Sequence, residues 1–136
     1  VDINERWRSK DWQPIILHKT HFGLEDVVSY FRAADLCVVS ALHDGMNLVA
    51  KEFVAARTDE RGVLLLSQFT GSSRELGDAV LVNPIAVDAF AEAIHRALTM
   101  GEEEKAERMR KMRAVVQENN VYRWAGKVVN EMRKLA

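Results

Sequence analysis

The run Val63-Leu64-Leu65-Leu66-Ser67 constrains the fold of this chain more than any other feature. Four consecutive branched apolar side chains alternate above and below a strand, so both faces of that strand must be kept from water. A sheet with one wet face would alternate apolar with polar. This run is therefore predicted to be a central strand of a parallel sheet. Parallel neighbours need long crossover connections, usually helices, and the chain has them. Pro14–His18, Leu36–Ser40 and Val80–Val82 read as further strands, the last closed by Asn83-Pro84. Glu25–Ala33 has helical spacing, with Leu24, Val27, Val28 and Phe31 on one face. Met46–Arg57 has it too, with Leu48, Val49, Phe53 and Ala56 spaced for burial. A short helix is expected at Arg74–Leu76, and longer ones at about 87–100, 102–118 and 122–135. Met109, Met112 and Trp124 read as core. Ile3–Arg8 reads as the end of a helix. The expected class is α/β, a parallel sheet with helices on both faces.

At 136 residues the chain has the length of one domain, and 48% apolar residues with 29% charged residues argue against disorder. A formal charge of −1 gives no general attraction to nucleic acid or to an anionic membrane, and neither is expected as a partner. The single Cys37 allows no internal disulfide, which fits a reducing, cytoplasmic location. No apolar run reaches membrane-spanning length and no signal peptide is visible. The first residue is Val, inside an apparent helix end, so the chain reads as the C-terminal part of something longer. No repeat or flexible linker is present in the sequence.

Chemistry is concentrated at Asp44-Gly45-Met46-Asn47-Leu48-Val49-Ala50-Lys51-Glu52-Phe53. The segment follows a strand and opens a helix, which places it at the carboxyl edge of the sheet, where open α/β sheets bind ligands. Free N–H groups of a first helical turn attract anions, and Gly45 would let a phosphate approach the backbone. Glu52 lies eight residues after Asp44, about two turns along. This arrangement suits a nucleotide diphosphate with a sugar at one end and a ribose at the other. The plainer alternatives are that Asp44 caps a helix, that Met46, Leu48 and Val49 are core side chains, and that Glu52 is solvated. Lys51 can approach a phosphate or pair with a surface acid.

Asp44 to Ala56 resembles the signature of the trehalose-6-phosphate synthase family, the family 20 glycosyltransferases. The resemblance extends through Tyr30–Asp35, Gly62–Leu76, Leu81–Pro84 and Ile94–Met100, and covers roughly Trp12 to Trp124. It implies a GT-B architecture of two Rossmann-like domains, with this chain as an incomplete C-terminal, nucleotide-sugar-binding domain and the N-terminal acceptor domain absent. It implies a UDP-glucose donor, a sugar-phosphate acceptor, transfer with retention, and neither metal nor cofactor. On this resemblance Asp44 hydrogen-bonds the donor glucose and is the catalytic residue. Gly45, Met46, Asn47, Leu48 and Val49 face the donor through backbone N–H groups, Glu52 grips the ribose, and His21 and Phe22 lie beside the uracil. The family's basic pair for the diphosphate would lie upstream of Val1, so the chain alone is expected to be inactive. His43 stands where the best-known members have Arg, and an imidazole cannot copy a guanidinium fork. Related synthases make glucosylglycerol phosphate, so the acceptor stays open, as do the nucleotide base and homo-oligomerisation. A reading of another class is a non-catalytic nucleotide-sugar-binding or regulatory module.

The remaining candidates point elsewhere. His18, His21 and His43 have no standard zinc spacing and no clustered acid or cysteine partners. Gly71, Ser72 and Ser73 form a second strand-to-helix loop that either borders the donor or is a plain capped turn. Arg108, Arg110, Lys111 and Arg113 alternate with Glu102, Glu103, Glu104 and Glu107, the pattern of a solvated helix with local ion pairs.

Overall fold

The computed structural model describes residues 2–134. Strands β1 (Leu36–Val39), β2 (Val63–Ser67) and β3 (Val80–Val82) form one sheet in the order β1-β2-β3. Both pairings are parallel, with Leu36 opposite Val63 and Leu65 opposite Val80. Helices α1 (Asp2–Trp7), α2 (Leu24–Ala33), α3 (Leu48–Ala56), α4 (Val87–Thr99), α5 (Glu102–Glu118) and α6 (Val121–Lys134) account for most of the rest. The fold is α/β, with helices on both faces of the sheet.

β2 is central and every one of its residues is buried. Its side chains divide between two separate cores, as the apolar run requires. Leu64 and Leu66 enter one, with Val39, Phe53, Val54 and the α5 residues Met109 and Met112. Val63 and Leu65 enter the other, with Val80, Val82 and the α4 residue Ala97. A side chain buried this way contributes roughly 1.5–3 kcal/mol over an exposed one, so the run anchors both layers at once.

Two arginines join the helices of the first layer. The guanidinium of Arg57, just past the end of α3, is buried and its Nη1 donates to the carbonyls of Phe31, Arg32 and Ala34 at 2.8, 2.7 and 2.9 Å. These carbonyls close α2, where the last turn leaves acceptors without intrahelical partners and carries the negative end of the dipole. Arg57 Nε lies 3.1 Å from Asp59 Oδ1 but has no hydrogen-bond partner, so this contact is electrostatic and off the N–H direction. Arg113 of α5 does the same for α3, donating to the carbonyls of Val54 and Ala55 at 3.1 and 2.9 Å. The outer face of α5 carries the expected local pairs, with Arg108 2.8 Å from Glu104 and Lys111 2.7 Å from Glu107.

Several expectations are corrected. Pro14–His18 forms no strand: among the described residues no neighbour supplies ladder hydrogen bonds, and the Asn4 side chain holds the N–H and C=O of Ile15 instead. The helix expected from Met46 starts at Leu48, because Asn47 takes a left-handed conformation with φ 54° and becomes the N-cap. The helix therefore buries Ala50, Phe53 and Val54, while Leu48 and Val49 are exposed. The helix expected at Arg74–Leu76 is a 3-10 turn over Gly71–Arg74. Trp124 is exposed rather than core, on a helix α6 with no buried residue. The expected end of that helix, Leu135, lies outside the described residues. No described helix is long and apolar enough to cross a membrane.

Candidate functional site

β1 and β2 are parallel neighbours, so the loops that leave their carboxyl ends emerge side by side. The first loop carries Asp44 and leads into α3. The second carries Gln68, Phe69 and Thr70 and leads into the Gly71–Arg74 turn. The loops are joined by backbone pairing. Asp44 and Thr70 form an isolated parallel bridge, and the Gly71 N–H donates to the Asp44 carbonyl at 2.9 Å. Their approach is so close that a Cβ on Gly71 would lie 1.9 Å from the Gly45 carbonyl oxygen. Only glycine fits there. A Cβ on Gly45 would meet nothing within 4 Å, so the fold itself does not require that glycine.

Asp44 organises its own loop. Oδ1 accepts from the backbone N–H groups of Met46 and Asn47 at 3.2 and 2.9 Å, and Oδ2 accepts from Asn47 Nδ2 at 2.8 Å. Asn47 Oδ1 in turn accepts from the Ala50 N–H at 2.9 Å. An aspartate after a strand, a left-handed asparagine and a helix are thus linked in one chain of bonds. Hydrogen bonds from the Asn47 side chain, then from the Asn47 and Met46 backbones, hold the Asp44 carboxyl below the usual carboxylate range. A smaller contribution of the same sign comes from His43. The group therefore stays ionised at neutral pH. An ionised carboxylate has about four acceptor positions, so three bonds leave room for about one more donor.

This geometry alters the anion-site expectation. The Met46 and Asn47 N–H groups are committed to Asp44, and that of Ala50 to Asn47. Leu48 and Val49, the first two residues of α3, lack intrahelical acceptors by position. Their amides remain for an external anion. Asp44 is not the helix N-cap; Asn47 is.

The loops bound a cleft of about 460 Å³ lined by His43, Asp44, Gly45, Gln68, Gly71 and Arg74, with Leu42, Phe69 and Thr70. Glu52 is on the exposed side of α3, without an ion pair among the described residues, and does not line this cleft. His21 is exposed, and Phe22 packs edge-on against His18 and Tyr30 at centroid distances of 5.5 and 5.2 Å, also outside the cleft lining. Lys51 takes the plainer of its two roles, with Nζ 3.1 Å from both carboxylate oxygens of Glu75. A larger hollow of about 850 Å³ lies against Arg8–Gln13 and Ile16. One continuous segment lines it, and no second element brings chemistry to it. Arg74 and Gln68 were not singled out from sequence. Their signal was their place beside Gly71 on the strand-to-turn loop, obscured by the expectation of a helix from Arg74.

The family profile described as glycosyltransferase family 20 matches residues 1–134. The glucosylglycerol-phosphate synthase of Synechocystis sp. is 41% identical over 129 residues, which are 95% of this chain and 26% of that protein. The trehalose-6-phosphate synthase of Salmonella arizonae is 40% identical over 134 residues, 98% of this chain and 28% of that protein. A solved structure described as trehalose-6-phosphate from E. coli bound with UDP-2-fluoro glucose superposes with a TM-score of 0.94 at 38% identity, covering 99% of this chain and 30% of that one. The alpha,alpha-trehalose-phosphate synthase (UDP-forming) from Burkholderia xenovorans, in complex with glucose-6-phosphate, superposes at 0.93 with 41% identity, covering 97% and 30%. This chain thus spans under a third of the length of these relatives. The parallel sheet, the docked strand-end loops and a profile match along almost every residue agree, and the chain belongs to glycosyltransferase family 20.

Proposed function

We propose that this chain is the later part of the nucleotide-sugar-binding domain of a retaining transferase. The whole enzyme would move glucose from UDP-glucose to glucose 6-phosphate, giving trehalose 6-phosphate and UDP. The observation that carries the reading is the Asp44 loop, locked to the second loop at the carboxyl edge of a parallel sheet in a family 20 chain. Asp44, ionised and with acceptor capacity left, takes a hydroxyl of the donor glucose. Gly45 lets the ligand come close to the chain. The free amides of Leu48 and Val49 face the leaving diphosphate, while those of Met46 and Asn47 act indirectly by fixing Asp44. Glu52 accepts from the ribose, and His21 and Phe22 flank the base.

In the transfer, the bond from glucose C1 to the diphosphate oxygen breaks, and the acceptor hydroxyl bonds C1 on the same face. That hydroxyl's proton passes to the departing phosphate oxygen. The work of the protein is to hold both partners and to stabilise the developing diphosphate charge.

A second acceptor, glycerol 3-phosphate, is favoured by two observations. Two similar relatives, at 41% identity, are glucosylglycerol-phosphate synthases. His43 lines the cleft next to Asp44, where a guanidinium would make different contacts with an acceptor.

The ribose assignment is tested by Glu52→Gln in the full-length enzyme. A carboxylate that accepts from ribose hydroxyls makes charge-assisted bonds, so its loss is expected to weaken UDP by roughly tenfold or more. Glu52 is exposed, so thermal unfolding should barely change. Calorimetric titration with UDP reads the effect. UDP binding equal to that of the parent would return Glu52 to the status of a solvated helix residue.

A further inference from the structure

We propose that Arg74 is a phosphate-binding residue of the Asp44 cleft. The inference rests on the donor-site reading above and extends it to a residue outside the Asp44–Glu52 segment. Arg74 ends the 3-10 turn after β2 and lines the same cleft as His43 and Asp44. Its position is fixed by the scaffold. Gly71 is pinned to Asp44 by backbone hydrogen bonding, and Ser73 Oγ donates to the Thr70 carbonyl at 2.7 Å. The turn therefore cannot drift from the Asp44 loop without breaking these bonds.

Arg74 combines a place in the cleft lining with the absence of a side-chain partner among the described residues. Asp44, which lines the same cleft, is bonded by its own loop and makes no pair with Arg74 among the described residues, and the neighbouring Glu75 takes both its bonds from Lys51. Arg74 itself makes no ion pair or side-chain hydrogen bond among the described residues. Arg57 and Arg113, by contrast, are spent on helix ends and Arg108 on Glu104. A planar guanidinium with five free donors, facing a cleft beside the open backbone of Gly45, matches a phosphate group. Two phosphates would enter the cleft in the proposed reaction, the donor diphosphate and the phosphate of the acceptor. The chemistry required of Arg74 is the same for both.

The test compares wild type, Arg74→Gln and Arg74→Lys in the full-length enzyme. UDP and uridine are titrated calorimetrically, and KM is measured for glucose 6-phosphate and for glycerol 3-phosphate. A donor role is expected to weaken UDP by about tenfold or more while leaving uridine unchanged. An acceptor role is expected to raise KM for the phosphorylated acceptor by a similar factor while UDP binds as before. In either case Arg74→Lys should recover part of the loss, because it restores the charge without the fork. If wild type binds UDP and Arg74→Gln matches it within twofold for UDP and for both acceptors, the inference fails and the donor-site reading stands. If wild type binds neither UDP nor a sugar phosphate, both fail together.

Discussion

Gly71→Ala is expected to disable the site, with loss of at least about 100-fold in transfer activity of the full-length enzyme. The new methyl would lie 1.9 Å from the Gly45 carbonyl oxygen and 2.9 Å from its carbon. Those are backbone atoms, so no side-chain rotation relieves the clash. The second loop must retreat, and it takes with it the Gly71 hydrogen bond to the Asp44 carbonyl and the Asp44–Thr70 bridge. A displacement of about 1 Å in a positioning loop is enough for an activity loss of this size. Overpacking of this kind also costs on the order of 1–3 kcal/mol of stability. Gly45→Ala is the internal control. Its Cβ meets nothing within 4 Å among the described residues, so stability should hold while ligand approach suffers. Thermal unfolding and turnover, measured on both variants, separate the two effects. Normal activity in Gly71→Ala would show that the loops do not need their close contact.

Arg57→Met is expected to destabilise the protein by about 3 kcal/mol, lowering Tm by roughly 10 °C. Methionine fills similar space but leaves the carbonyls of Phe31, Arg32 and Ala34 without their donor at the part-buried end of α2. Each is a bond to a charged group, and the Arg57 guanidinium also lies 5.9 Å from the Phe53 ring centroid. Lysine restores a charge but not the geometry, so Arg57→Lys should fall between the two. Urea unfolding is the measurement. A loss below about 1 kcal/mol would mean that water replaces the guanidinium at those carbonyls at little cost.

The parallel sheet was legible because its signal is local and strong. Leu64 to Leu66 could only be satisfied by cover on both faces, and β2 received it. The long helices were legible from their spacing, to within a residue or two. Pro14–His18 misled because a branched apolar run describes what a strand needs on its faces, not whether a partner lies at its edge. Ile15 bonds to the Asn4 side chain, eleven residues away, a contact that no periodicity encodes.

At the site, the sequence located the Asp44 loop but not its internal bonding. The left-handed turn at Asn47 shifted the helix start by two residues and brought Leu48 and Val49 to the surface. Asparagine tolerates that conformation better than most residues, so the signal existed in composition but was outweighed by the helical pattern. The importance of Gly71 was hidden for another reason. Its steric demand comes from Gly45, on a loop brought to it only by the pairing of β1 with β2. Burial raises the Cys37 thiol to about 11, which makes it an inert part of the core wall rather than a nucleophile. That agrees with the proposed site, in which chemistry is charge and positioning.

The most direct measurement is product analysis by NMR after incubating the full-length enzyme with UDP-glucose and, separately, with glucose 6-phosphate or glycerol 3-phosphate. The expected result is stoichiometric release of UDP and a new glucosyl linkage with the α configuration of the donor, with one of the two acceptors clearly preferred. Absence of transfer to either acceptor, or a product with inverted configuration, would contradict the proposal that this chain forms part of the donor site of a retaining glucosyltransferase.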